Sequence, residues 1–121
     1  MTCPVILSVF LGGGLGSVCR FLIGKEVIKL TDSQFPWGTL SANLLSCLVL
    51  GVVLSVAGKG IIRSESWLAF LTIGFCGGFS TFSTFSLETL GLMRDGMYLF
   101  AGLNVALSFI ACLLILYFLV K

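Results

Sequence analysis

The chain has 121 residues, 58% of them hydrophobic and 10% charged, with a net charge of +2 and a mean hydropathy of +1.16. A water-soluble domain carries about 25% charged residues, so most of this surface must face lipid, and the length leaves no room for an appended soluble module. The seven Lys/Arg residues are scattered and form no basic patch for nucleic acid.

Four apolar stretches in chain order are each close to the roughly 20 residues needed to cross a bilayer. The first runs from about Pro4 to about Ile23. Nothing basic precedes it and no clear small-residue cleavage site follows, so it is read as a retained helix rather than a signal peptide. The second runs from about Trp37 to about Ala57, the third from about Trp67 to about Leu92, and the fourth from about Tyr98 to Val120. Short connections hold most of the charge. Trp37, Trp67 and Tyr98 sit at helix starts and Tyr117 near the last helix end, where interfacial anchors belong. The whole chain is one four-helix transmembrane domain, 1–121.

Four spans place both termini and the second connection on one side, with Lys59, Arg63 and Lys121. Arg20, Lys25, Lys29 and Arg94 fall on the other. Three basic residues against four give the positive-inside rule almost nothing to act on. Either a subtler feature sets the orientation, or copies insert both ways and pair antiparallel.

Polar residues at depth usually face a partner helix or a wet cavity. In the first span, Gly12 and Gly16 have the spacing that lets helix backbones approach closely, and Arg20 near its end either snorkels or lines a polar vestibule. In the second, Thr39 and Asn43 are four apart and share a face. The Asn43 amide, one to two turns into the bilayer, suits either an anion or a neighbouring helix.

The third span is the most informative. Gly74-Phe75-Cys76-Gly77-Gly78 leads into Phe79-Ser80-Thr81-Phe82-Ser83-Thr84-Phe85-Ser86. Adjacent glycines weaken a helix, and the hydroxyls that follow can satisfy backbone groups freed at a break. A broken helix at membrane depth must be buried in protein or face water, and it offers carbonyls to a hard cation and N–H groups to an anion. A kinked helix without a ligand is the alternative. Phe82 and Phe85 lie roughly on one face. Their ring edges are able to meet an anion, although such stripes are more often packing. Glu88 follows near the membrane boundary, where a carboxylate is ordinarily solvated. In the fourth span, Asn104, Ser108 and Cys112 form a polar stripe, open either to a pore wall or to hydrogen bonds between helices. The five cysteines, at 3, 19, 47, 76 and 112, are dispersed, and there is no histidine, so a disulfide framework or a closed metal cluster is not expected.

Together these segments resemble the Fluc fluoride channel family, also called CrcB. The resemblance covers nearly the whole chain. It rests on Gly13-x-x-Gly16-x-x-x-Arg20, on Gly38-Thr39-Leu40-x-x-Asn43, and above all on the long string from Gly74 to Ser86. It implies an all-α, dual-topology homodimer with antiparallel subunits and two pores, multi-pass in the bacterial inner (plasma) membrane. It also implies a structural sodium ion at the dimer centre, held by backbone carbonyls matching Gly77 and Ser80. Ser80 stands where Thr is commoner. The fluoride pore positions match Asn43, Phe82, Ser83, Thr84, Phe85 and Ser108, and Cys112 replaces a more familiar hydroxyl. Arg20, Thr39 and Glu88 match pore-entrance or vestibule positions.

The function so implied is passive export of cytoplasmic fluoride and relief of its toxicity. No ATP motif is present. A dual-topology drug–proton antiporter would need a carboxylate within the first helix, where the span to Ile23 has none. A non-conducting membrane assembly protein is the other alternative. An enzyme is not expected, for no histidine and no paired deep carboxylates offer acid–base or metal chemistry.

Overall fold

A computed structural model describes residues 3–120; Met1, Thr2 and Lys121, the last of which enters the charge balance, lie outside the described residues. The described residues are all-helical, without strands, and form four helices long and apolar enough to cross a membrane: α1 (Cys3–Leu30), α2 (Trp37–Gly58), α3 (Glu65–Arg94) and α4 (Tyr98–Leu119). The starts of α2 and α4 fall where hydropathy puts them. Helix α1 continues seven residues past Ile23, because Lys25, Glu26 and Lys29 sustain a helix in water as readily as apolar residues do in lipid. Its exposed Lys29 donates to Glu26 Oε1 at 3.2 Å, a surface pair between neighbours on one helix face. At 28 residues α1 spans about 42 Å, more than the roughly 30 Å hydrocarbon core.

The connections are tight. Gly60 and Gly96 adopt left-handed φ values of 79° and 77° just after α2 and α3, where a Cβ would be strained. Ser64 caps α3, its hydroxyl accepting from the Trp67 amide at 3.3 Å. In the first connection Phe35 folds back and is buried, its ring edge-on to Phe100 of α4 at 5.6 Å. That contact puts the first and third connections at one end of the bundle.

Helix α1 packs against α2 and the first half of α3, while α4 packs against α2 and the second half of α3. The α1–α3 crossing is a contact of backbones. A Cβ on Gly12 would strike the Phe70 carbonyl, and one on Gly16 the Phe75 carbonyl. From the other side, a Cβ on Gly74 would lie 2.9 Å from the Val9 oxygen, and one on Gly78 would strike that of Gly13. The pairs Gly12/Gly16 and Gly74/Gly78 therefore interdigitate, the close approach their spacing predicts.

Helix α3 changes its hydrogen bonding along its length. Residues 70–76 form a π-helix, and the Gly77 amide reaches back to Thr72. A short α-helical turn follows, Gly77–Phe79, and then Ser80 (φ −86°, ψ 160°) and Thr81 (φ −152°, ψ 124°) are extended. The α-helix resumes at Phe82 and runs to Arg94. The change of direction across Ser80–Thr81 is slight, so this interruption is one of backbone dihedrals and hydrogen bonds.

Candidate functional site

The two extended residues are held by side chains rather than by helix geometry. Asn43 of α2 pairs with the backbone of Thr81 through both ends of its amide. Its Oδ1 accepts from the Thr81 N–H at 2.8 Å, and its Nδ2 donates to the Thr81 carbonyl at 3.3 Å. In an uninterrupted helix the Thr81 N–H would donate to the Gly77 carbonyl. Here Asn43 takes it, so the Gly77 carbonyl loses its helical partner. One turn deeper on α2, buried Ser46 donates to the Cys76 carbonyl at 2.9 Å, and the Ser80 hydroxyl donates to the same oxygen at 2.9 Å. The Thr81 amide freed by the interruption is thus satisfied by Asn43, and the Cys76 carbonyl, which keeps its helical bond from the Ser80 amide at 3.0 Å, is a shared acceptor where the ladder ends.

The second half of α3 starts with a proper cap. Thr81 Oγ1 accepts from the Thr84 amide at 3.2 Å and lies 3.4 Å from Ser83 Oγ. The N-terminal end of this 13-residue helix, with its partial positive charge, borders a cavity of about 260 Å3. The cavity wall includes Asn43, Ser80, Thr81, Phe82, Phe85 and Ser108. Cys47, Phe109, Cys112, Leu113 and Leu116 complete it, and none of these residues is charged. Phe82 and Phe85 share the wall with ring centroids 5.7 Å apart, but they differ in burial: Phe85 is 7% exposed and Phe82 70%. Phe85 meets Phe109 of α4 edge-on at 6.0 Å.

The polar stripe on α4 divides by depth. Asn104 is fully buried and donates to Thr89 Oγ1 at 2.9 Å, so it joins α4 to α3 and is not part of the cavity wall. Ser108 is buried, lines the cavity, and its hydroxyl has no hydrogen-bond partner. The Cys112 thiol points to the Asn43 carbonyl at 3.8 Å.

A second cavity, of about 440 Å3, opens where α1 leaves the bundle beside the start of α2. Arg20, Lys25, Lys29 and Thr39 line it. Arg20 is half-buried and its Nε donates to the Gly78 carbonyl at 3.2 Å. The guanidinium thus ties α1 to α3 and also lines this cavity. Thr39 and Asn43 share a helix face as their spacing predicts, but they belong to different cavities, one turn apart.

Of the remaining candidates, Ser83 is exposed and Thr84 half-buried. Gly77 lies exposed, with nothing within 4 Å of where its Cβ would be. Glu88 departs from the solvated position expected of it: it is half-buried, and its Oε1 is buried without a partner. No sequence pattern signals the Asn43–Thr81 pairing or the role of Ser46. The hydroxyl run after Gly78 was the one available signal.

These features define a four-span membrane protein with a broken hydrogen-bond ladder in its third helix and an uncharged, hydroxyl- and Phe-lined cavity beside it. Residues 7–119 match the family of CrcB-like proteins described as Camphor Resistance (CrcB). The chain is 45% identical over 93 residues to the fluoride-specific ion channel FluC of Phocaeicola vulgatus, covering 77% of this chain and 76% of that one. It is 42% identical over 108 residues to the protein of the same name from Geobacter sulfurreducens, covering 89% and 87%. The corresponding channel of Serratia proteamaculans is 40% identical, with 85% and 80% covered. The chain belongs to the CrcB family.

Proposed function

We propose that this protein is a fluoride-selective channel, which passes the ion passively down its electrochemical gradient and exports it from the cytoplasm. The observation that carries the reading is the cavity between α2, the second half of α3 and α4. There an unpartnered Ser108 hydroxyl, the capped start of a helix and two phenylalanine rings converge without a charged side chain. The FluC relatives support fluoride as the ion.

The physical problem is to carry a small, strongly hydrated anion through a region where full dehydration would be prohibitive. The cavity wall offers partial replacements for water. Ser108 supplies a hydroxyl donor, Asn43 has one amide hydrogen left after pairing with Thr81, the rings of Phe82 and Phe85 present positive edges, and the Ser83 and Thr84 hydroxyls follow on the half-helix just outside the wall. No fixed cation lines the cavity to trap the anion, so each site is weak enough to leave as well as good enough to enter. Arg20, with Thr39 at the wider cavity, raises the local anion concentration at an entrance, and the reading gives Glu88, two turns into the second half of α3, to the other entrance.

The reading includes a second copy of the chain. Gly77, Phe82 and Ser83 are exposed midway along the third span, where a second copy would cover them. We assign that copy to an antiparallel homodimer in a bacterial inner membrane, consistent with the near-balanced basic residues. The interruption at Ser80–Thr81 then acts as a helix break on the dimer axis. The donor chemistry fits a structural sodium ion there: the Gly77 carbonyl has lost its helical partner, and the Ser80 carbonyl is turned by an extended ψ. Two such oxygens from one chain fall short of the six or so that a hard cation takes, and two chains double the supply. Bound sodium would tie the two breaks together and add positive potential between the pores.

The antiporter reading gains no support. Glu26 falls inside α1 but is exposed and paired with Lys29. The test is fluoride efflux from liposomes carrying the purified protein, with chloride as control. Efflux of fluoride far above that of protein-free liposomes, with chloride retained, is expected. Equal rates with and without protein would sink the channel reading and favour a non-conducting assembly protein, and proton-coupled drug uptake would favour the antiporter.

A further inference from the structure

Two of the five cysteines face one cavity from different helices. Cys47 lies one turn beyond Asn43 on α2, and Cys112 one turn beyond Ser108 on α4. Both line the wall of the 260 Å3 cavity, one from each of its two flanking helices. Both are half-buried and free, whereas Cys76 is buried and donates nothing to this wall. The Cys112 thiol has only a long contact, 3.8 Å, to the Asn43 carbonyl. The channel mechanism uses neither sulfur.

We propose that Cys47 and Cys112 form a two-thiol site for a soft, linearly coordinating metal cation, and that its occupation blocks the anion path. Thiolates select soft ions over sodium or magnesium. Two sulfurs without a nearby histidine or carboxylate leave a tetrahedral zinc site incomplete, whereas a two-coordinate ion such as mercury(II) is satisfied by the pair. Binding forms two S–metal bonds, breaks two S–H bonds with release of one proton from each thiol, and displaces two chloride ligands from mercury(II) chloride, with no change of oxidation state. For a divalent ion the product is neutral, so no net charge is left in the uncharged cavity. The bridge would pin α2 to α4 across the wall that also carries Asn43 and Ser108. The block rests on the channel reading; the metal site itself does not.

The experiment uses mercury(II) chloride on the full chain in liposomes, with two readouts. The first is protection of individual cysteines from maleimide, read by peptide mass. Mercury should protect Cys47 and Cys112 together at one ion per chain and should be retained against excess monothiol. The second is fluoride efflux, each variant being compared with its own untreated rate. The concentration giving half-block should rise at least about tenfold in Cys47→Ser and in Cys112→Ser, because a second tethered ligand raises effective affinity by orders of magnitude. It should stay unchanged in the Cys3→Ser/Cys19→Ser double variant. Cys47→Ala and Cys112→Ala repeat the measurement in case a serine variant misfolds. Independent labelling of Cys47 and Cys112, or half-block unchanged in either single variant, overturns the site. Joint protection in a protein that passes no fluoride even untreated would leave the site standing and overturn the channel.

Discussion

The two sides of α3 are built on opposite plans. Toward α1, its first half is packed by glycines, with backbone against backbone and no space for a methyl group. Toward α2 and α4, the residues after the interruption leave a cavity of about 260 Å3, and the contacts there are made by side chains. In a bilayer there is no hydrophobic gain from bringing helices together, so association depends on close packing and on hydrogen bonds between helices. The glycine side uses the first of these and the Asn43 side the second. Stability is thus concentrated where no ligand can enter, and openness where polar groups are held in place by a few specific bonds.

The sharpest way to break this division is to add volume on the packed side. Gly16→Val would drive its Cβ into the Phe75 carbonyl and to within 2.8 Å of the Phe79 amide nitrogen, both backbone atoms with nowhere to move. A loss of about 3 kcal/mol or more is expected, seen as collapse of the thermal unfolding midpoint in detergent. Gly14→Ala, on the same helix with nothing within 4 Å of its Cβ, should change that midpoint little or raise it slightly. Equal behaviour of the two variants would show that the α1–α3 crossing is not what holds the bundle.

On the open side, Asn43→Leu removes both bonds to Thr81 and leaves its half-buried amide unpaired. It should cost about 1–3 kcal/mol and slow fluoride efflux, since the start of the second half-helix is no longer fixed. Asn43→Asp is the finer probe. Its carboxylate still accepts from the Thr81 N–H but faces the Thr81 carbonyl with an acceptor and adds negative charge to the proposed anion path. Efflux should therefore fall further than stability does, and normal efflux in either variant would remove Asn43 from the path. Arg20→Gln should have a smaller structural effect, about 1 kcal/mol for the lost bond to the Gly78 carbonyl. It should also weaken the dependence of efflux on ionic strength, because the entrance loses a fixed charge.

The four spans were legible because hydropathy reports the bilayer directly, and Trp37 and Tyr98 mark helix starts to the residue. Hydropathy says nothing of a helix that leaves the bilayer, which is why the end of α1 at Leu30 was not read from Ile23. The π-helical turns of 70–76 carry no separate periodic signal over two turns, so they stayed hidden. Glycine spacing did predict the close crossing, because only one residue type permits it. The site was legible as a set of residues but not as a set of bonds. Asn43 and Thr81 are 38 positions apart, and no local pattern says that the amide would replace a helical partner. The same holds for the α4 stripe: spacing grouped Asn104, Ser108 and Cys112, and depth then gave Asn104 to Thr89 and the other two to the cavity.

Ser108 gives the smallest expected change in stability and the cleanest separation of the two sides. Its hydroxyl is buried and unpaired, which is costly unless something passing through the cavity uses it. Ser108→Ala removes that group without breaking a bond. Unfolding should shift by less than about 0.5 kcal/mol, or toward greater stability, because an unsatisfied polar group is gone. Fluoride efflux should slow all the same. Asn104→Ala, one turn along α4, should do the reverse: it cuts the bond to Thr89 and destabilises by about 1 kcal/mol, while efflux per folded protein holds. If Ser108→Ala leaves efflux untouched, the hydroxyl serves no passing anion, and the cavity is a packing defect at this depth.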